Sequence, residues 1–98
     1  MLAETKLALR VTTTAYDAEI SRLLRAGAVD LGIAGVRTPI DTETITDDAI
    51  KMALITYVCV HFGSPEDYER LKRSYDEQKA QLQSCIGYGL RGDDDGTP

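Results

Sequence analysis

Apolar positions fall into four runs with helical spacing, separated by short polar or turn-forming stretches. Leu2, Leu7, Leu9 and Val11 lie among good helix formers and run into Thr12, Thr13 and Thr14, whose branched side chains resist continuation. A short first helix from Leu2 to Val11 is predicted. Thr14 and Asp17 have the spacing of a capping box, so a second helix is expected to start there. In that helix Ile20, Leu23, Leu24, Ala28 and Leu31 recur at steps of three and four, with Asp17, Glu19, Arg22 and Arg25 elsewhere, which is the pattern of an amphipathic helix packing on a core. Gly32 and Gly35 end it. Val36 to Glu43, with Pro39, reads as an exposed connection too polar for core.

The third run is different in kind. Thr44 or Thr46 is the expected cap, with Asp47 and Asp48 complementing the dipole. Ile50, Met52, Ala53, Leu54, Ile55, Tyr57, Val58, Cys59 and Phe62 then place apolar groups nearly all round. Such a helix must be surrounded, either at the centre of its own domain or between that domain and a neighbouring subunit. Gly63 suits the left-handed stop of this helix, Ser64 can cap the next, and Pro65, Glu66 and Asp67 suit a first turn, so a rigid elbow is expected. The fourth helix, Pro65 to about Leu82, carries a narrow stripe of Tyr68, Leu71, Tyr75 and Leu82. Glu66 with Arg70 and Glu69 with Arg73 are spaced as ion pairs on its wet side. Tyr68 and Tyr75 are read mainly as core. Beyond Ser84 the periodicity fails. The expected fold is all-α: a compact bundle of about four helices over residues 1–83, with an exposed loop between the second and third helices and a flexible C-terminal tail over residues 84–98.

Composition narrows the function classes. With 98 residues the chain makes one domain, which buries only about two-thirds of the surface its unfolded form exposes, so a partner or an oligomer would add stability. A net charge of -5 disfavours a surface built to grip nucleic-acid phosphates. A helix-turn-helix reader is further disfavoured because the third helix follows a long loop and opens with two aspartates. No segment has the roughly 18 uncharged apolar residues of a membrane span, and the amino terminus lacks a signal-peptide pattern. Cys59 and Cys85 give no disulfide framework, so the cytoplasm is the default expectation.

Candidate chemistry is thin. Gly87, Gly89 and Gly92 match a dinucleotide fingerprint in spacing, but the strand that should precede it and the helix that should follow are absent. Asp93 to Asp95 resemble a fragment of a calcium loop without its distal Glu. His61 and Cys59 are two residues apart on a helix, which points them to nearly opposite sides and excludes a shared zinc or a nucleophile–base pair. Asp47 with Asp48 and Glu66 with Asp67 are better read as helix-start carboxylates than as an acid–base pair. No metal, cofactor or catalytic residue is predicted.

The order of elements carries a resemblance. Leu7-Ala8-Leu9-Arg10-Val11 into Thr14-Ala15-Tyr16-Asp17, then Glu19-Ile20, Leu23-Leu24 and Ala28-Val29-Asp30-Leu31-Gly32, is followed by Asp48-Ala49-Ile50, Ala53-Leu54-Ile55-Thr56-Tyr57-Val58 and His61-Phe62-Gly63-Ser64-Pro65-Glu66-Asp67-Tyr68-Glu69-Arg70-Leu71. This pattern, from Leu2 to about Leu82, is similar to the head-tail connector, or adaptor, proteins of long-tailed double-stranded DNA bacteriophages, often labelled DNA packaging proteins. The resemblance implies a structural virion protein of the neck, made in the host bacterial cytoplasm and catalysing no reaction. Twelve copies would form a ring docked on the portal, extending the DNA channel after packaging and joining capsid to tail. Its partners would be the portal and a downstream stopper or tail-completion protein, with DNA passing through without specific binding. On that reading Tyr88, Leu90 and Arg91 in the tail are the expected portal contacts. Arg25, Arg37, Thr38, Pro39 and Ile40 are expected at the subunit interface or lumen. The competing reading is a small monomeric regulatory module that binds one helical peptide.

Overall fold

The computed structural model describes residues 1–63 and 66–85, and among these every regular element is helical: α1 (Leu2–Leu9), α2 (Asp17–Ile33), a 3-10 turn at Thr42–Thr44, α3 (Asp48–His61) and α4 (Tyr68–Ser84). The all-α bundle expected from periodicity is what forms.

α3 is the organising element, packing against each of the other three helices. Ile50, Ala53, Leu54, Val58 and Val60 are its buried residues, and they meet Ile20, Leu24, Ala28 and Leu31 of α2 and Tyr75 and Leu82 of α4 in one core. Full burial of side chains such as Leu24, Leu31 and Leu54 stabilises by about 1.5–3 kcal/mol each. The α2–α3 seam is tight because residue 27 is glycine: a Cβ there would stand 2.9 Å from Leu54 Cδ2 and 3.0 Å from Tyr57 Cδ1. The surround of α3 is incomplete, however. Met52 is 60% exposed, and Ile55 and Cys59 are half-buried.

α1 and α2 end alike. Arg10 (φ 60°) and Gly35 (φ 94°) are left-handed, and in each case the next amide reaches back to close the last turn, Val11 N to Lys6 O at 2.9 Å and Val36 N to Leu31 O at 2.8 Å. The second closure carries Val36 into the core at 0% exposure, in the same apolar cluster as Leu31. The connection after α2 is therefore not wholly polar surface as expected: Val36, Thr42 and Ile45 are buried, while Pro39 and Ile40 are exposed.

Several predicted caps are replaced. The Thr14–Asp17 box does not form; Tyr16 occupies the cap position without a side-chain bond, and Asp17 instead pairs with Lys6 at 2.8 Å. Neither Thr44 nor Thr46 caps α3. Asp47 does, its Oδ1 accepting from the Ala49 and Ile50 amides at 2.8 and 3.2 Å. Gly63 takes the left-handed conformation (φ 68°) as expected, but α4 begins at Tyr68 rather than Pro65; Ser64 and Pro65 lie outside the described residues. The first helix stops at Leu9, short of Val11, and Leu7 is 81% exposed.

Candidate functional site

Two polar constructions and one loop carry the side chains with the most chemical character. The first joins α2 to α4. Asp30 lies on the side of α2 that faces α4, where Tyr75 Oη donates to Asp30 Oδ2 at 2.5 Å and Lys79 Nζ donates to the same oxygen at 3.1 Å. Lys79 also stands 5.2 Å above the Tyr75 ring, and Tyr57 meets Tyr75 edge-on and His61 in a tilted stack at centroid distances of 5.3 and 4.4 Å. Burial alone would raise the Asp30 pKa, but the Tyr75 and Lys79 hydrogen bonds outweigh it and hold the carboxyl below its usual range. Burial, then the bond to Asp30, pushes the Tyr75 hydroxyl far above its ordinary value. Gln83 Nε2 donates to Ala34 O at 2.9 Å at the far end of the same helix pair. These groups are a clasp between helices. Cys59 has its thiol pKa raised by burial, the opposite of what an activated nucleophile needs. Among the described residues no group of His, Cys, Asp or Glu could hold a metal ion.

The second construction closes the N-terminal end of α1 against the 3-10 turn. Glu43 accepts from the Met1 ammonium at 2.7 Å and from the Leu2 amide at 2.9 Å, one oxygen for each. Glu4 is shared between Met1 at 3.2 Å and Lys51 of α3 at 3.0 Å. Glu43 thus serves as a cap delivered from a distant loop, placed where the α1 dipole favours a carboxylate. Its pKa is lowered by the Met1 hydrogen bond first and the Leu2 amide second, and that of Glu4 by Lys51 and then Met1. Burial works against the charged Met1 amine, yet the bonds to Glu43 and Glu4 raise its pKa.

Of the residues singled out from sequence, Arg25 is exposed on the outer side of α2, and Arg37, Pro39 and Ile40 are exposed in the loop. Thr38 is half-buried, its hydroxyl donating to Val36 O at 3.1 Å. Arg25 and the 37–40 stretch thus occupy different elements. Tyr88, Leu90 and Arg91 lie outside the described residues. On α4 the paired stripe is split, with Tyr75 5% exposed but Tyr68 43%, so Tyr68 is a surface residue and not core. Tyr68 with Glu69, Lys72, Arg73 and Asp76 lines an open depression. The wet-side ion pairs are Asp67–Arg70 at 3.1 Å and Lys72–Asp76 at 3.2 Å in place of those expected. The Asp30–Tyr75–Lys79 clasp was not foreseen, although an aspartate between Ala28 and Leu31, on the buried side of an amphipathic helix, is a signal that a partner must face it.

No helix of the described residues is long and apolar enough to cross a membrane. No curated protein and no solved structure matches the chain. A family model described as phage connector protein matches residues 1–88, which spans all four helices and the elbow whose residues carry the resemblance. An all-α domain whose polar groups serve to clasp helices, matched over nearly its whole length by that model, belongs to the phage connector protein family.

Proposed function

We propose that this connector protein is a structural component of the neck that assembles into a ring, twelvefold in the virion, docks on the portal and extends the DNA channel toward a downstream stopper or tail-completion protein. The family match over residues 1–88 carries the reading. Two features support it. The net charge of -5 suits a channel wall past which DNA must slide, since clustered cations would hold the phosphates through counterion release. The outer side of α3 keeps Met52 in solvent and Ile55 and Cys59 half-exposed, apolar surface that a neighbouring molecule would cover. Membership of a connector family favours a structural role over a catalytic one.

In this reading the segment from Ile86 to Asp95 engages the portal, with Tyr88 and Leu90 as apolar anchors and Arg91 as a polar one, and the loop around Arg37, Thr38, Pro39 and Ile40 touches a neighbour or faces the lumen. Electron microscopy of the purified chain mixed with portal rings tests the whole: a closed density below the portal is expected, and portals left bare at high protein excess would overturn it. Deleting the residues after Ser84 should leave the helical circular dichroism intact while abolishing portal capture; undiminished capture would remove the tail from the interface.

A further inference from the structure

By the helical repeat, Ala18, Arg22, Arg25, Val29 and Ile33 share one face of α2, and all five are exposed, Ile33 at 82%. No carboxylate interrupts that face, and among the described residues no ion pair engages Arg22 or Arg25. A basic and apolar strip on a chain of net charge -5 is a local reversal of the whole molecule's sign. Laid parallel and in register on its own copy, it would bring four guanidinium groups together.

The outer side of α3 has the complementary arrangement. Asp48, Met52, Ile55 and Cys59 line up on the side away from Ile50, Leu54 and Val58. Asp48, at the N-terminal end, is exposed and pairs with no described cation. The three residues after it are apolar and partly or largely accessible. From Arg22 and from Asp48 onward, both strips begin with charge and continue with apolar groups, at steps of three and four residues, over about 16 Å of helix. Laid parallel with Val29 beside Ile55 and Ile33 beside Cys59, Arg22 falls level with Asp48, and Arg25 lies about 4.5 Å further along, level with Lys51, whose ammonium is held by Glu4.

We propose that the outer face of α2 docks in this parallel register on the outer strip of α3 in a second copy of the chain. The inference rests on the reading of the protein as an assembling neck component, and it specifies which surfaces meet. Because the two surfaces differ, an open chain of copies always keeps one unfilled α2 face at one end and one unfilled α3 strip at the other. Growth is then head to tail and stops only when the rotation closes, the geometry a ring requires.

Sedimentation equilibrium of the full chain, up to millimolar concentration and at low and high salt, tests this without portal. The wild type should self-associate, more weakly at high salt. Arg22→Glu with Arg25→Glu should weaken association by more than about tenfold, as should Asp48→Lys, while the variant combining all three should recover it. Met52→Glu, at an exposed position, should weaken association at every salt concentration, with circular dichroism confirming that each variant is folded. A wild-type chain monomeric throughout, charge reversals without effect, or a combined variant that fails to recover would each overturn the proposed interface. Portal capture is measured separately, so a chain that remains monomeric yet decorates portals sinks this interface and leaves the neck function standing, and one that associates but ignores portals does the reverse.

Discussion

The seam between α2 and α3 and the junction between α1 and the 3-10 turn are both inter-element contacts, but they are built from opposite materials. The seam is Leu24, Ala28 and Leu31 against Leu54 and Val58, nearly free of solvent, with Gly27 letting the two helices approach. The junction is Glu43, Glu4, Lys51 and the Met1 ammonium, with both carboxylates about half accessible. Apolar burial neither titrates nor is screened by simple salts, whereas exposed ion pairs are screened and titrate. The molecule thus has a fixed spine and an adjustable end.

The most forceful way to break the contrast is at the spine. Leu54→Ala should cost about 3–4 kcal/mol, read as a drop in the urea midpoint with little change at different salt concentrations. Gly27→Ala comes next. The helix gains about 1 kcal/mol from losing a glycine, but the new methyl meets Leu54 and Tyr57 at 2.9 and 3.0 Å, and overpacking of about 1–3 kcal/mol should leave a net loss near 1 kcal/mol; a stabilised variant would show that the seam has slack. Tyr75→Phe removes the donor to Asp30 and should cost about 1 kcal/mol. It should also change the alkaline limb. The Tyr75 hydroxyl has a raised pKa, so its contribution is complete below about pH 10 and is lost as pH climbs beyond that, and stability–pH curves of the phenylalanine variant should lose this decline.

The smallest effect belongs to the junction. Glu43→Gln should cost less than about 1 kcal/mol, because the group is largely in solvent. Its signature is in the conditions. The lowered pKa values of Glu43 and Glu4 mean that their contributions are present above the ordinary carboxylate range and fade as pH falls through the lower folded-state values; the raised Met1 amine fades as pH rises above about 8. Both limbs, and the salt dependence, should flatten in Glu43→Gln and stay unchanged in Leu54→Ala.

The spine was legible in the sequence and the junction was not, for a physical reason. Steps of three and four among Ile20, Leu24, Ala28 and Leu31, and the dense apolar run from Ile50 to Phe62, report burial directly because the hydrophobic effect needs only the right face. Gly63 marks a left-handed stop in the sequence because few other residues adopt that conformation cheaply. Caps and ion pairs depend on competition. Asp17 had a helix start available and went to Lys6, Asp47 took the cap that Thr44 and Thr46 were expected to supply, and Glu43 reached across to α1. Local spacing names several equal suitors for each backbone amide, and only the folded arrangement chooses among them. The left-handed turn at Arg10 carries no such mark, since nothing in an arginine announces it. Of the residues expected at a subunit interface or lumen, Arg25 and Ile40 are exposed, which is compatible with a contact but does not assign one, while the buried Val36 shows that a loop can pin itself to the core by one residue and keep its tip outside.

The single amide bond from Gln83 to Ala34 has a geometric corollary. It fastens the last turn of α4 beside the point where the chain leaves α2, so the end of α4 and the start of the 36–43 connection share one corner of the molecule. A side chain changed at either place is felt at the other, and the two cannot be altered independently.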